Sequence, residues 1–337
     1  MRLRHVCVLL VSQTLFTVAN CPSKKKIIVD SDFFVDVDDA GALLLASTHP
    51  QVSLLGVNVN YPSSYSALAV SSLLGYYGQG RVPVGLVRPY TNITYLDRYT
   101  YEHGEFASKV AYHWQQYAAV PWENVDSLHE PVSLYRQLLS NEQDGSVTIV
   151  SLGFLDNLSR MLLSMPDSIS AMSGRELVAA KVGELVVMGG QYPSGHEYNF
   201  AKYNATAAAH VIGAWPSCIT FSGFEIGQVV LSGGGLMLRG PEGDPVKAAY
   251  RWFNGQGNAH GSWDPLTMLY AIEGLGQIFE YGEGGYNYIY SNGTNEWQNA
   301  TRNNAQHRFL KLTVSPREAG AVLDEYFLQG AMTASRD

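Results

Sequence analysis

One stretch near the start of the chain decides the fold: Ile27-Ile28-Val29-Asp30-Ser31-Asp32-Phe33-Phe34-Val35-Asp36-Val37-Asp38-Asp39-Ala40. It opens with an apolar, β-branched run, which is typical of a strand buried on both faces. The run leads into a loop in which five carboxylates lie within ten residues. The apolar residues 40–47 then predict a helix. Strand, polar loop and helix in this order indicate the first unit of a parallel α/β sheet.

The same alternation continues along the chain. Short apolar runs predict strands at residues 52–59, 82–87, 146–151, 184–188 and 218–221, and longer periodic segments predict helices at 65–77, 128–140, 157–164 and 205–214. Residues 24–337 are therefore predicted to form a single α/β domain, with a mostly parallel, Rossmann-like sheet flanked by helices on both faces. The glycine-rich residues 232–240 are interpreted as a loop, and residues 282–305 as an irregular surface excursion.

Composition narrows the class of partner. Hydrophobic residues make up 46% of the 337 residues and charged residues only 15%, which excludes a disordered or coiled-coil protein. The formal net charge of −8 disfavours nucleic acid and anionic membrane surfaces as partners. A small neutral substrate or a cation fits this charge better.

The N-terminus indicates export. Basic residues precede an apolar run at residues 6–18, which predicts a signal peptide over residues 1–19 with cleavage after Ala19. We therefore expect a secreted protein with no membrane span. Five N-x-[ST] sequons predict N-glycosylation, at Asn92, Asn157, Asn204, Asn292 and Asn299. Cys21 and Cys218 either form a disulfide or remain free thiols, and the sequence leaves both open.

The acidic loop after the first strand predicts a cation site. Carboxylates this close repel one another, and their pKa values rise unless a cation holds them. Oxygen ligands select Ca²⁺ or Mg²⁺, although the spacing differs from that of an EF-hand loop. Two alternatives are a solvated acidic loop and a helix cap at Asp38 or Asp39. The apolar residues 33–35 argue against the solvated loop.

Two later segments carry polar residues where strands are predicted to end. Asp264 precedes Pro265 at the start of an apolar helix, a position that capping alone would explain. The segment 188–200 begins Met-Gly-Gly and contains Glu197 and Asn199, which suit hydrogen bonds to a sugar diol, although an ordinary loop has the same composition. In an open α/β sheet, ligands bind beyond the carboxyl ends of the strands, so these residues are candidates for one site.

Taken together, the segments resemble one family, the inosine-uridine preferring nucleoside hydrolases. The resemblance runs from about Lys26 to about Ile278 and keeps the order of the family's motifs. These are Asp30-Ser31-Asp32 with Asp38-Asp39-Ala40, Gly153-Phe154-Leu155-Asp156-Asn157, Met188-Gly189-Gly190 with Glu197-Tyr198-Asn199, and Asp264-Pro265. It implies the nucleoside hydrolase fold and Ca²⁺-dependent cleavage of the N-glycosidic bond of ribonucleosides, by a homodimer or homotetramer.

The resemblance also implies roles for individual residues. The implied Ca²⁺ ligands are Asp32, Asp39, Asp264 and the carbonyl of Leu152. Asp32 is also the implied general base toward a water on the ion. Among the implied substrate contacts, Asp38 binds the ribose 2′-hydroxyl, and Asp264 contacts the ribose as well as the metal. The other implied contacts are Met188 in the Met-Gly-Gly segment, Glu197 and Asn199 in the Glu-x-Asn segment, and Asn60 at the end of the second strand.

The chain departs from the family's pattern in two places. Its acidic loop is two residues longer than the usual Asp-x-Asp-Pro-Gly-x-Asp-Asp form. Trp263 stands where a histidine often protonates the leaving base, and tryptophan has no usable proton at neutral pH. Trp263 is expected to stack on the base or close the pocket. The candidate replacement acids are His103, ranked first, His196 and His260. The departure leaves two alternatives to the enzyme: a binding or effector protein, and a hydrolase of another ribosyl compound.

Overall fold

The computed structural model describes residues 24–94, 105–299 and 306–334. The strands in these ranges are β1 (Lys25–Ser31), β2 (Val52–Val59), β3 (Val84–Leu86), β4 (Val147–Ser151), β5 (Val182–Met188), β6 (Ser194–Gly195), β7 (Cys218–Ser222), β8 (Leu231–Ser232), β9 (His260–Gly261), β10 (Phe279–Tyr281), β11 (Tyr286–Ile289), β12 (Asn295–Gln298) and β13 (His307–Leu312).

The helices fall between these strands. They are α1 (Asp38–Thr48), α2 (Ser64–Tyr76), α3 (Ala107–His113), α4 (Pro131–Ser140), α5 (Asp156–Leu163), α6 (Gly174–Lys181), α7 (Tyr198–Ala201), α8 (Ala205–Ala214), α9 (Phe224–Val229), α10 (Gly234–Arg239), α11 (Pro245–Asn254), α12 (Trp263–Glu273) and α13 (Pro316–Ala334). Short 3₁₀ turns lie at Gln115–Tyr117 and Trp122–Ser127.

The central sheet has eight strands in the order β10-β13-β7-β5-β4-β1-β2-β3. Every neighbouring pair is parallel except β10 with β13 at one edge. The mostly parallel sheet predicted from the sequence is therefore confirmed. After β3 the chain returns to the other side of β1 and adds β4, so the topological switch point lies between β1 and β4.

Two hydrophobic cores cover the two faces of the sheet, because successive side chains of a strand point to opposite faces. Ile27 and Val29 of β1 belong to the larger core, which includes buried residues of α1, α2, α3, α11, α12 and α13. Ile28 belongs to the second core, with α4, α5, α6 and α8. The helices on both faces agree with the prediction.

The interpretation of residues 232–240 as a loop is wrong, because residues Gly234–Arg239 form α10. Gly233 precedes this helix with a φ of 89°, a conformation that favours glycine. The backbone N–H groups of Gly233 and Gly235 donate to the carboxylate of Asp324, at 2.7 and 3.0 Å. Asp324 lies on α13, far along the chain. Its carboxylate accepts hydrogen bonds from the free N–H groups at the start of α10, a helix that its glycine-rich sequence disfavours.

The interpretation of residues 282–305 as irregular also differs from the structure. Strands β11 and β12 form an antiparallel hairpin within this segment, and β12 pairs with β6. Trp297 of β12 is buried and packs against Tyr192 and Phe309. These long-range contacts order a segment whose composition is typical of a loop. Residues 300–305 lie outside the described ranges.

Arg136 on α4 fixes the connection between α5 and α6. Its guanidinium is buried and donates to both carboxylate oxygens of Asp167, each at 2.9 Å. It also donates to Ser164 Oγ and to the carbonyls of Ser170 and Met172, at 2.9–3.0 Å. One planar cation thus holds the turn from several directions.

Replacing Arg136 with methionine should therefore lower stability without touching the site. The methionine keeps an apolar stem but leaves the Met172 carbonyl without its guanidinium donor and breaks the ion pair with Asp167, so the free energy of unfolding should fall by about 2–4 kcal/mol. Urea denaturation measures this change. Arg136→Lys is the matched control, because lysine keeps the positive charge but lacks the planar, forked guanidinium. Its free energy of unfolding should lie between those of the wild type and the methionine variant. A methionine variant with the wild-type midpoint would contradict this role.

None of the helices in the described ranges has the length and apolar character that crossing a bilayer requires. The segment predicted as a signal peptide and Cys21 lie outside these ranges. Cys218 begins β7 as a partly buried residue. Its pairing with Cys21 therefore stays an open prediction.

Candidate functional site

Two helix starts bring the early and late acidic residues together. Asp38 and Asp39 lie in the first turn of α1, and Asp264 lies in the first turn of α12. Neither helix has a side-chain cap hydrogen bond, so these carboxylates do not act as the caps that sequence alone allowed. The backbone N–H of Asp264 donates to Asp38 Oδ2 at 2.9 Å. One oxygen from each of the three carboxylates lies within 4.8 Å of the others.

These carboxylates are buried, and burial governs their protonation. Burial, and then the neighbouring carboxylate of Asp36, raises the pKa of Asp39 to about 8. Burial first, and then the nearby carboxylates, raise the pKa values of Asp32, Asp38 and Asp264 well above the usual range. A bound cation reverses this effect because it favours the charged form of each ligand.

Asp39 shows that the cluster fits a cation. Its Oδ1 accepts a hydrogen bond from Ser31 Oγ at 2.5 Å. Its Oδ2 is buried and has no hydrogen-bond partner among the residues described. A buried carboxylate oxygen without a donor is unfavourable unless a positive charge meets it. The oxygen-only donor set is the kind that Ca²⁺ and Mg²⁺ prefer.

A cavity of about 250 Å³ opens beside this cluster. Its walls come from the carboxyl ends of β1, β4 and β5 and from α9, α11 and α12. Nine of the residues predicted from the sequence line it: Asp32, Asp38, Leu152, Met188, Glu197, Asn199, His260, Trp263 and Asp264. Asp39 lies behind them in the cluster. The cavity therefore occupies the position that the rule for open α/β sheets predicts.

The predicted metal ligands divide into two groups. Asp39 and Asp264 belong to the three-carboxylate cluster, and its third member is Asp38, for which we predicted a ribose contact. Asp32 and Leu152 line the adjoining cavity. The carbonyl of Leu152 accepts a hydrogen bond from Asn199 Nδ2 at 3.1 Å. The ligand roles of these residues stay predictions.

Glu197 organises the loop after β5. Its Oε1 accepts from the N–H of Asn199 at 2.7 Å, and its Oε2 accepts from Gly190 and Phe200 at 3.0 and 3.2 Å. Burial raises its pKa to about 7, although these N–H donors lower it. Asn199 Nδ2 donates to the carbonyls of Leu152 and Met188. Both predicted ribose contacts are thus held rigidly against the cavity wall.

Asn60 has different partners from those predicted. Its Nδ2 donates to Asp30 Oδ1 at 2.6 Å and to the carbonyl of Phe154 at 3.0 Å, and Asn60 is not among the residues that line the cavity. Asp30 also accepts from Tyr135 Oη and from Asn157 Nδ2. This buried network ties the first acidic residue to the sheet, and Asn60 belongs to that support.

An aromatic group forms another part of the cavity wall. Trp263 stacks on Phe224 with ring centroids 5.6 Å apart, and its Nε1 donates to the Phe224 carbonyl at 3.0 Å. Two glycines make room for the indole: a Cβ at Gly227 would lie 2.2 Å from Trp263 Cδ1, and one at Gly261 2.5 Å from Cη2. The ring predicted to face the base is thus fixed at the cavity.

The three candidate histidines have different positions. His103 lies outside the described residues. His196 is exposed and is not a lining residue. His260 lines the cavity, with its Nε2 3.6 Å from Asp36 Oδ2 and its ring edge-on to Trp263 at 5.7 Å. His260 is therefore the candidate acid that the structure brings to the aromatic wall.

Five lining residues received no individual role from the sequence: Val35, Asp36, Tyr198, Phe224 and Phe253. Phe224 follows β7 directly, so the strand-end rule would have found it. Phe253 lies near the end of α11, where no local pattern marks it.

The fold and the site define a doubly wound α/β protein whose pocket joins a cluster of carboxylates that could hold a cation to an aromatic wall. The sequence profile described as inosine-uridine preferring nucleoside hydrolase matches residues 27–310, and the chain belongs to this family. It is thereby an enzyme of the nucleoside N-ribohydrolase class, as the resemblance implied.

Individual relatives are distant. An inosine-uridine preferring nucleoside hydrolase of Crithidia fasciculata is 26% identical over 241 residues, which cover 67% of this chain and 68% of that protein. A plant nucleoside hydrolase superposes with a TM-score of 0.66 at 19% identity, covering 90% of this chain and 99% of that one. The type III effector protein XopQ, complexed with adenosine diphosphate ribose, gives 0.64 at 16% identity, covering 92% and 95%. The two solved structures bear on the fold alone.

Proposed function

We propose that this protein hydrolyses the N-glycosidic bond of ribonucleosides in a Ca²⁺-dependent reaction and releases ribose and the free base. The observation that carries the proposal is the unpartnered, buried oxygen of Asp39 beside the carboxylates of Asp38 and Asp264. Such a cluster beside a pocket at the sheet's switch point suits a cation and a small polar substrate together.

The residues that would hold the ion are Asp39 and Asp264, with Asp32 and the Leu152 carbonyl from the adjoining strand ends. When bound, Ca²⁺ supplies positive charge that orients water and the ribose hydroxyls and lowers the pKa of that water. Ca²⁺ is proposed over Mg²⁺ because carbonyl and carboxylate ligands from three separate segments suit the irregular coordination that Ca²⁺ accepts.

The polar wall acts on the ribose. Asp32 accepts the proton of the attacking water, and Asp38 accepts a hydrogen bond from the 2′-hydroxyl. Glu197 and Asn199 bind the rest of the sugar, held in place by their backbone partners. Carboxylates around the ring stabilise the positive charge that develops on the ribosyl group as the bond to the base breaks. Their effect is strongest in a pocket that excludes water.

The aromatic wall acts on the base. Trp263 offers a flat face for stacking, and Phe224 behind it keeps that face in place. His260 supplies a proton donor at the same wall, beside Asp36. Stacking and protonation both make the base a better leaving group. Because Trp263 stands where the family often has a histidine, another residue has to supply the proton.

A second candidate is a protein that binds or cleaves another ribosyl compound. Trp263 favours it, because the family's usual acid is absent at that position. The chain has a fold similar to that of an effector protein complexed with adenosine diphosphate ribose, so this compound is included in the test.

Ribose release decides between these candidates. The purified protein is incubated with inosine, uridine, adenosine, guanosine and adenosine diphosphate ribose, with Ca²⁺ or with a chelator. Free ribose is measured for the nucleosides, and free adenine for adenosine diphosphate ribose, whose ribose stays bonded to phosphate. We expect release from at least one nucleoside that chelation abolishes and added Ca²⁺ restores. Binding of one of these compounds without release of a product would favour the second candidate, as a binding protein. Release that survives complete removal of the metal would exclude the Ca²⁺ mechanism.

We also propose that the protein is exported and N-glycosylated, and that it assembles as a homodimer or homotetramer. The basic and apolar residues before Ala19 and the sequons support export. Detection of a processed N-terminus in the culture medium tests export, and light scattering tests the oligomeric state.

A further inference from the structure

The structure separates the five sequons. Asn157 is fully buried and donates to Asp30, so a glycan on its side-chain nitrogen is incompatible with the folded core. Asn204 caps α8 and donates from Nδ2 to Asp156 Oδ1 at 2.6 Å, which engages the nitrogen a glycan would occupy. Asn92, Asn292 and Asn299 are exposed. An aromatic residue precedes each of these three by two positions.

Burial divides these three further. Trp297, which precedes Asn299, is 7% exposed and packs against Tyr192 and Phe309 in the core. Its ring has no face free for a sugar. Tyr290, which precedes Asn292, is 41% exposed at the end of a hairpin. Only the tertiary structure makes this distinction, because the two local sequences have the same spacing.

The hairpin turn places Tyr290, Asn292 and Thr294 together. Gly293 has a φ of 84°, and its N–H donates to the Tyr290 carbonyl at 2.9 Å. The N–H of Tyr290 donates to the Thr294 carbonyl at 2.8 Å, so these residues oppose each other across the hairpin and their side chains share one face. Asn292 Oδ1 accepts from the Thr294 N–H at 3.0 Å, which holds the Asn292 side chain against the backbone of the same turn.

The phenol ring is held in position. Tyr290 Oη donates to Glu296 Oε2 at 2.5 Å, and Tyr288 lies edge-on to the ring with centroids 4.9 Å apart. An oriented ring offers its electron-rich face at little further entropic cost. The apolar face of a pyranose, with its partly positive C–H groups, is complementary to such a face.

We propose that Asn292 carries an N-linked glycan whose first sugar packs on the ring of Tyr290. The transfer forms a bond between Asn292 Nδ2 and C1 of N-acetylglucosamine. It breaks the C1–O bond to a lipid pyrophosphate donor, which leaves with the electron pair, and Nδ2 loses one proton. Thr294 supplies the hydroxyl that completes the sequon. The sugar then stabilises the hairpin that closes against β6.

Asn92 repeats the arrangement on another element. Tyr90 and Asn92 both line a depression of about 210 Å³, together with Tyr65 and Trp122. Tyr90 Oη donates to Asp126, and Asn92 Oδ1 accepts from Ser64 Oγ at 2.7 Å. We infer a second glycan here, with its first sugar in this depression.

The test uses the full chain from a eukaryotic secretory host. Glycopeptide mass spectrometry should find glycan on Asn292 and Asn92 and none on Asn157. An endoglycosidase that leaves one sugar gives one form. An amidase that removes the whole glycan gives the other, in which each modified Asn becomes Asp, a change that the wild type and the variant both undergo. Removing the last sugar should lower the melting temperature of the wild type by about 2 °C and leave Tyr290→Thr nearly unchanged. The effects of glycans at other positions cancel in this comparison, because the wild type and the Tyr290→Thr variant both carry them.

Two results would overturn the inference. One is an unmodified Asn292 in protein that has passed through the secretory route, and the other is an equal fall in melting temperature in the wild type and in Tyr290→Thr. If the native N-terminus does not direct export, a foreign leader ahead of the full chain delivers the protein to the same enzymes. A failure of the export proposal is thereby distinguished from a failure of this one. The threonine variant keeps strand propensity, and ribose release reports its folding.

Discussion

Asp39→Ala should abolish ribose release, with kcat/KM reduced more than about 1,000-fold, because the change removes a charge from a preorganised cluster that the reaction depends on. The same variant should fold. Its wild-type oxygen is buried without a hydrogen-bond partner in the part of the chain that the structure describes, so its loss leaves no donor unsatisfied there except Ser31 Oγ. In chelator, its melting temperature should be close to that of the wild type.

Calcium titration separates this explanation from a general loss of structure. Added Ca²⁺ should raise the melting temperature of the wild type, because a ligand that binds only the native state stabilises it, and should leave Asp39→Ala unchanged. Asp39→Asn is the matched control of equal size, and should keep the fold while losing most of the Ca²⁺ response. Full Ca²⁺ affinity in the alanine variant would show that the ligand assignment is wrong.

The second large effect is expected at Trp263. Trp263→Ala should lower kcat/KM by about 5- to 150-fold, which corresponds to the ~1–3 kcal/mol that stacking of a base on an aromatic ring contributes. The loss should appear with nucleosides of every base, because each has a face to stack. Steady-state kinetics with inosine and uridine measure it.

Trp263→Phe is the matched control, since phenylalanine keeps a flat face but loses the hydrogen bond to the Phe224 carbonyl. It should retain most of the activity. If the alanine variant matches the wild type with every nucleoside, Trp263 has no role at the base. If the phenylalanine variant is as poor as the alanine variant, the hydrogen bond that orients the indole matters more than stacking.

Much of the fold could be predicted because the strands are apolar on both faces. The predicted strand at residues 52–59 coincides with β2, and the predicted helix at residues 205–214 coincides with α8. A parallel strand is buried on both sides, so its sequence reports its environment directly. The failures at α10 and at the β11–β12 hairpin have one cause: Asp324 and β6, both distant in sequence, stabilise segments rich in glycine and asparagine.

The candidate site divides in the same way. The sequence by itself determined which strand ends carry acids, because a run of carboxylates beside apolar residues is meaningful without any partner. It also indicated the family, which the profile match over residues 27–310 confirms. Tertiary structure decided that Asp38 joins Asp39 and Asp264, that Asn60 supports Asp30, and that Phe224 and Phe253 complete the wall. It also buried Asn157, whose sequon looks like the others. The physical reason is that charge and hydropathy are properties of a residue, whereas burial, hydrogen-bond partners and proximity arise only when distant segments pack together.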